Sequence, residues 1–199
     1  MSPISEIERD LEWREAEMAT LRILLKNSDI TEKEKTVLFR AAWALLYAHY
    51  EGFCKFALTV YFDSLQQTKK PCRDLPLKTQ AFALTHQLKS FRTLPAPELL
   101  TKIVKFDDDV MSTVVKFPEV DTESNLWPKT LKALLEKADI LLESIEANSR
   151  TLHTLVSRRN KIAHGERDII PEFTYYVQFE DAVKTIMYEL ALSIDEKLT

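Results

Sequence analysis

Glycine is the residue that most constrains this chain, because only two occur among its 199 residues, Gly52 and Gly165. Tight turns between β-strands commonly need a positive φ, which glycine adopts most readily. Two glycines therefore favour helices joined by short polar loops. With 199 residues and 45% hydrophobic content, the chain can bury a core as a single domain spanning residues 1–199.

Apolar residues recur at helical spacing along most of the chain, and capping residues mark where helices begin. Ser2 and Pro3 start a first helix that is predicted to end at residues 27–29. Thr31 and Glu34 form a capping-box pattern for a second helix, which runs to about residue 67. Further helices are predicted over residues 76–88, from 95, from 128, and over 140–145, 149–164 and 174–197. The predicted fold class is all-α, a compact helical bundle with a long central helix.

The net charge and the two cysteines bear on which ligands and which cellular compartment the sequence favours. A net charge of −4 argues against a non-specific nucleic-acid coat but allows a local basic cleft. Cys54 and Cys72 form neither a CxxC motif nor a zinc pattern, so buried thiols in a reducing cytoplasm are expected. The N-terminus is acidic and amphipathic, unlike a secretory signal.

Residues 37–62 are mostly apolar and require a test for a membrane span. Arg40, His49, Glu51 and Lys55 interrupt the segment, and a charged residue at mid-bilayer costs about 2.5–3.5 kcal/mol. The segment is therefore predicted to be a core helix, and the protein to be cytoplasmic without membrane association.

Residues 107–125 are the least regular stretch and favour a short helix with a loop. Asp107, Asp108 and Asp109 could suggest a divalent metal, but no second carboxylate cluster stands at a suitable spacing. Turn or cap use is favoured, and no metal site is predicted.

The segment from Leu152 to Gly165, LHTLVSRRNKIAHG, contains the residues best suited to chemistry. On a helix, Arg159 falls within an apolar stripe formed by Leu152, Leu155, Val156, Ile162 and Ala163. An unpaired buried guanidinium is very costly. Arg159 is therefore expected to meet a buried acid, another subunit or a ligand anion.

A polar face runs beside this stripe and consists of His153, Ser157, Asn160 and His164. Asn160 and His164 are one turn apart and can contact the same ligand. On the second helix, Glu51 follows a stripe of small residues, Ala41, Ala44 and Ala48, which would let a neighbouring helix approach closely. Glu51 could then pair with Arg159, either only neutralising it or supporting a site. His49, on the bulkier face, is expected to be a core histidine.

Two strings resemble one known family. The string R-N-K-I-A-H, residues 159–164, followed by glycine, resembles the R-N-x-x-x-H signature of HEPN domains. The string AAWALLYAHYEGFCKF, residues 41–56, resembles the long helix of a prokaryotic HEPN subgroup, in which A-H-aromatic-E-G-aromatic precedes a lysine. The chain thus resembles toxin or defence-type HEPN ribonucleases of the RiboL-PSP-HEPN-like subgroup. Residues 71–125 lie outside both strings.

The resemblance implies an RNA endonuclease that needs no metal or other cofactor, with Arg159, Asn160 and His164 as catalytic residues and Glu51 as support. HEPN ribonucleases typically act as homodimers with a composite active site, and the ribose 2′-OH attacks the adjacent phosphate. Arginine suits the developing charge, while His164 either transfers protons or positions the phosphate. Four basic neighbours either give a local positive field or form a solvated helix face: Arg150, Arg158, Lys161 and Arg167. RNA binding is predicted for Arg158, Lys161 and Arg167.

Three functions stay open on the sequence alone. The first is an RNA endonuclease, a toxin or phage-defence effector restrained by an antitoxin or regulatory protein. The second is a non-catalytic HEPN module that binds a nucleotide or a protein partner. The third is a dimerising helical scaffold, for which replacement of Arg159 would affect packing alone.

Overall fold

The computed structural model describes residues 2–27 and 29–199, and its regular elements are helical. The α-helices in chain order are α1 (Pro3–Leu25), α2 (Glu32–Gln67), α3 (Leu77–Ala83), α4 (Thr85–Phe91), α5 (Ala96–Val104), α6 (Pro128–Lys137), α7 (Glu143–Ala163) and α8 (Phe173–Leu198). A 3-10 turn lies at Cys72–Asp74 and a π-helical turn at Asp107–Met111. The predicted all-α fold class is confirmed.

The predicted starts of the first two helices agree with their capping contacts. The Ser2 hydroxyl accepts a hydrogen bond from the Ser5 amide at 3.2 Å. At the start of α2, the Thr31 amide donates to the Glu34 carboxylate at 2.7 Å, and the Glu34 amide donates back to the Thr31 hydroxyl at 3.3 Å. Helix α1 ends at Leu25, and Ser28, part of its predicted end, lies outside the described residues.

Two predicted helix boundaries were wrong. The helix predicted over residues 76–88 is broken at Leu84, whose φ of −91° and ψ of 10° separate α3 from α4. Leu84 instead packs into a small second core. Residues 140–142 are not helical, because Ile140 and Leu142 are buried while Leu141 is 83% exposed. This alternation is that of extended backbone. The helices predicted over residues 140–145 and 149–164 are one helix, α7, which begins at Glu143.

Helix α2 lies at the centre of the main core and contacts α1, α7 and α8. Trp43, at the junction of α2 with α7 and α8, is fully buried. Its indole N–H donates to the Leu155 carbonyl of α7 at 3.1 Å, and its ring lies 4.5 Å from that of Phe179 in α8. These contacts hold the C-terminal half of α7 against the middle of α2.

Three further expectations concern the apolar segment of α2, the two cysteines and His49. No helix in the described ranges is long and apolar enough to cross a membrane. Cys54 and Cys72 are buried and unbonded. His49 is buried, as expected, and its Nε2 lies 2.9 Å from a Glu17 carboxylate oxygen without the alignment of a hydrogen bond. Burial lowers the pKa of His49, which favours the neutral imidazole.

Candidate functional site

The Arg159 side chain lies where the last turns of α7 cross α2. Its guanidinium carbon is 4.0 Å from the centroid of the Tyr47 ring, a cation–π distance. Tyr47 is fully buried, whereas the Arg159 side chain keeps 25% of its surface exposed. Arg159 therefore lies over an aromatic floor with part of its guanidinium open to solvent.

Three polar groups surround the same guanidinium. Its Nη1 donates to the side-chain oxygen of Asn160 at 2.8 Å and to that of Asn125 at 3.0 Å. Its Nη2 lies 3.6 Å from a Glu51 carboxylate oxygen. The acid expected to compensate Arg159 is thus Glu51, from the same chain. These contacts restrain the guanidinium before any ligand arrives.

Tyr47 is a neutral part of this site. Its hydroxyl accepts a hydrogen bond from the Leu126 amide at 2.9 Å. Burial is the main cause that raises the pKa of Tyr47 to about 12, and the negative charge of Glu51 acts in the same direction. Tyr47 therefore stays protonated near neutral pH and serves as a floor, not as a base.

His164 lies at the C-terminal end of α7 and is exposed. Its amide donates to the Asn160 carbonyl at 2.9 Å, while the Asn160 side chain contacts Arg159. Gly165 follows with a φ of +79°, the left-handed conformation expected for a helix C-cap. Among the described residues the His164 imidazole has no hydrogen-bond partner, so it remains open to solvent. Asn160 thus joins the two ends of the motif, by its side chain to Arg159 and by its backbone to His164.

The three basic residues predicted to bind RNA differ in how many contacts their side chains make within the protein. Nη1 of Arg158 donates to the Ile169 carbonyl at 2.9 Å and to the Asp168 carboxylate at 3.3 Å. Arg158 therefore ties the loop after α7 back onto the helix through its Nη1. Lys161 and Arg167 are exposed, and neither forms an ion pair within the described ranges.

Two surface expectations were wrong. Ala163 is exposed because the last turn of α7 extends beyond the core, although Leu152, Leu155 and Val156 of the same stripe are buried. The small-residue stripe of α2 is not covered by a neighbouring helix of the described chain. Ala41 and Ala48 are exposed and Ala44 is half-buried, because α7 contacts α2 through the adjacent Trp43 and Tyr47.

Sequence reasoning missed two residues of the site, Tyr47 and Asn125. Tyr47 precedes Glu51 by four positions on α2, so helical spacing alone could have placed it beside the acid. Asn125 belongs to the polar run D-T-E-S-N, residues 121–125, which indicates a turn but not its partner.

On the polar face of α7, His153 contacts Trp127, with ring centroids 4.7 Å apart.

The acidic triplet is used in a turn. Asp107 accepts a hydrogen bond from the Arg73 guanidinium at 3.2 Å, and the triplet begins the π-helical turn. Among the described residues, no group of three or more His, Cys, Asp or Glu side chains is placed to hold a metal ion.

Comparison with known proteins gives one family. A family model described as MAE_28990-like HEPN matches residues 3–199. No curated protein and no solved structure shows a significant match to the chain. The match covers the segment between residues 71 and 125, which the two recognised strings left out.

Proposed function

The chain belongs to the HEPN family, and on this premise we propose that it is an RNA endonuclease that works without a metal ion. The observation that carries the proposal is Arg159, restrained by Glu51, Asn125 and Asn160 yet partly exposed, on the same helix end as the open His164. A restrained cation beside a free imidazole suits a reaction that develops charge on phosphate. The RiboL-PSP-like subgroup stays a prediction.

The reaction follows from the chemistry of RNA. The 2′-oxygen forms a bond to the adjacent phosphorus as the bond from phosphorus to the 5′-oxygen breaks, leaving a 2′,3′-cyclic phosphate and a 5′-hydroxyl. One proton leaves the 2′-OH and one reaches the 5′-oxygen. Imidazole can accept or donate a proton near neutral pH, which is the role we assign to His164. Arg159 stabilises the phosphorane charge, Asn160 orients Arg159, and Glu51 restrains it.

Purified protein incubated with a structured RNA in EDTA tests this proposal. We expect cleavage products with 2′,3′-cyclic phosphate and 5′-hydroxyl ends, identified by end-specific labelling. DNA of the same sequence and RNA fully methylated at its 2′-oxygens serve as controls, and both should stay intact because they lack the attacking group. Cleavage of the DNA, or products with 5′-phosphate ends, would contradict the mechanism.

The second candidate is a non-catalytic module that binds a nucleotide or a protein. One observation favours it: no acid or carbonyl within the described ranges orients the His164 imidazole, although such a partner commonly fixes a catalytic histidine. A module of this kind would bind the RNA in the same EDTA experiment without cleaving it. Loss of that binding on replacement of Arg159 would then locate the anion site.

We also propose that the chain forms a homodimer through the open face of α2. Val37 is 67% exposed and Leu45 is 38% exposed, beside the exposed Ala41 and Ala48. An open apolar groove of about 510 Å³, lined in part by Val37 and Ala41, continues this face. The face ends at Glu51, so a second copy seated on it would bring a second motif near the first.

A charged substitution on this face should shift the dimer toward monomer. We expect Ala41→Arg to raise the dimer dissociation constant at least about 10-fold, because the arginine must be desolvated at the interface. Ala19→Arg, on the exposed surface of α1, is the matched control and should behave as wild type. Sedimentation equilibrium measures both. A wild type that is already monomeric, or equal shifts in the two variants, would argue against this interface.

The biological role as a toxin or phage-defence effector, and an antitoxin or regulatory partner, rest on what HEPN domains commonly do. No contact or distance in the structure is used to support these roles. The gene adjacent to this one is the direct place to look for such a partner.

A further inference from the structure

The turn formed by residues 121–126 has a backbone that its sequence would not favour. Glu123 and Ser124 have φ values of 55° and 65°, and neither is glycine. Left-handed backbone at such residues is uncommon and persists where surrounding contacts impose it. Within the turn, the Glu123 amide donates to the Asp121 carboxylate at 2.8 Å, and the Asn125 amide to the Thr122 carbonyl at 3.1 Å.

Contacts with α2 hold this turn from both sides. At its end, the fully buried Leu126 donates its amide to the Tyr47 hydroxyl at 2.9 Å. Just before it, Glu119 forms an ion pair with Lys55 of α2 at 2.8 Å. Since Tyr47 is also the floor beneath Arg159, the anchor of the turn and the floor of the site are one side chain.

The turn places the Asn125 side chain on Arg159. Arginine has donors only, so the atom of Asn125 that lies 3.0 Å from Nη1 must be its carbonyl oxygen. Together Asn125 and Asn160 occupy both hydrogens of Nη1, while Glu51 faces Nη2. Within the described ranges, the Nε hydrogen and one Nη2 hydrogen of Arg159 have no partner and could bind a phosphate. The direction in which these two N–H groups point depends on Asn125, Asn160 and Glu51, which hold the rest of the guanidinium.

We propose that Asn125 is a positioning residue for RNA cleavage and acts through Arg159, an inference that rests on the proposed ribonuclease function. Asn125 lies 34 positions before Arg159 and outside the R-N-x-x-x-H string. Without its oxygen, Nη1 keeps Asn160 as its partner, and the guanidinium gains freedom to turn toward Glu51. A displaced cation stabilises the phosphorane less than a correctly placed one.

Kinetics of single and double variants separate positioning from stability. We expect Asn125→Ala to lower kcat about 10- to 100-fold with a smaller change in KM, as for a small misplacement of a catalytic group. In an Arg159→Lys background the same substitution should have little further effect on kcat, because a lysine cannot make the same planar contact. Asn125→Asp keeps the accepting oxygen and should restore part of kcat, while its charge raises KM.

Asn148→Ala is the matched control. Asn148 lies on α7 itself, and among the described residues its side chain donates to the Ser144 carbonyl alone, at 2.9 Å. It should leave kcat unchanged. Equal losses of kcat from Asn125→Ala in the wild-type and Arg159→Lys backgrounds would overturn the inference, and so would a lower melting temperature with unchanged kcat. These outcomes differ from failure of the ribonuclease proposal. In that case the wild-type protein itself would not cleave RNA, and the role of Asn125 would be contradicted together with the ribonuclease function.

Discussion

Replacement of Arg159 with alanine should lower kcat/KM for RNA cleavage about 100- to 1,000-fold, the range seen when one group that stabilises transition-state charge is removed. The reason is geometric. Arg159 lies on the Tyr47 ring with Asn125, Asn160 and Glu51 around it, so the guanidinium needs little reorganisation when charge develops. Initial rates on an end-labelled RNA in EDTA measure the effect.

The folded state should survive this substitution. Arg159→Ala leaves Glu51 without its cation and uncovers the Tyr47 ring, but both Arg159 and Glu51 are partly exposed, 25% and 21%. Water can therefore replace part of what is lost, and we expect a loss of about 1–2 kcal/mol in the free energy of unfolding. Circular dichroism and a melting curve establish that activity is compared between folded proteins.

Two further variants show whether placement or charge matters. Arg150→Ala removes one positive charge from an exposed position of α7 and should cost little activity. Arg159→Lys keeps the charge without the planar donors and should fall between wild type and Arg159→Ala. Equal losses in Arg159→Ala and Arg150→Ala would indicate that only net charge matters. Destabilisation by Arg159→Ala without any change in cleavage would favour the scaffold function.

Replacement of Trp43 with alanine should lower the free energy of unfolding by about 3–5 kcal/mol, more than Arg159→Ala. Trp43 is fully buried where α2 meets α7 and α8, and its ring contacts those of Tyr175 and Phe179. Alanine would leave a cavity and deprive the buried Leu155 carbonyl of the indole N–H donor. Urea unfolding followed by circular dichroism measures the change.

Trp13→Ala is the matched control for this prediction. Trp13 is 48% exposed, and its indole N–H donates to Asp10 of the same helix, at 2.9 Å. We expect a loss of about 1 kcal/mol, because nearly half of the Trp13 surface is already in water. Similar losses in the two variants would show that the junction of α2, α7 and α8 is not the main source of stability.

Local spacing accounts for much of what could be predicted. The capping box at Thr31 and Glu34 specified the start of α2. No proline occurs between residues 32 and 67, so the helix continues to Gln67. The string R-N-K-I-A-H placed Arg159 and His164 near the same helix end. The two residues are five positions apart, which is about one and a half turns of an α-helix. The family resemblance drawn from that string is confirmed by the match over residues 3–199.

Boundaries failed where packing overrode periodicity. Leu84 leaves the helical conformation to join the small core with Cys72, Leu75 and Val115, and nothing in the spacing of residues 76–88 marks that break. Ile140 and Leu142 were predicted as helical because short apolar runs suit either structure. Their alternation with the exposed Leu141 became visible only once the buried surface was known.

The sequence by itself determined the all-α class, the long central helix and the positions of Arg159, Asn160 and His164 along α7, because these depend on contacts within a few residues. The sequence also suggested Glu51 as the acid for Arg159, but only the tertiary structure decided which other groups surround this guanidinium. Its floor, Tyr47, and its acid, Glu51, come from α2, and its amide partner, Asn125, comes from a turn 34 positions away. Such neighbours follow from how whole helices pack, and packing depends on all the buried side chains at once.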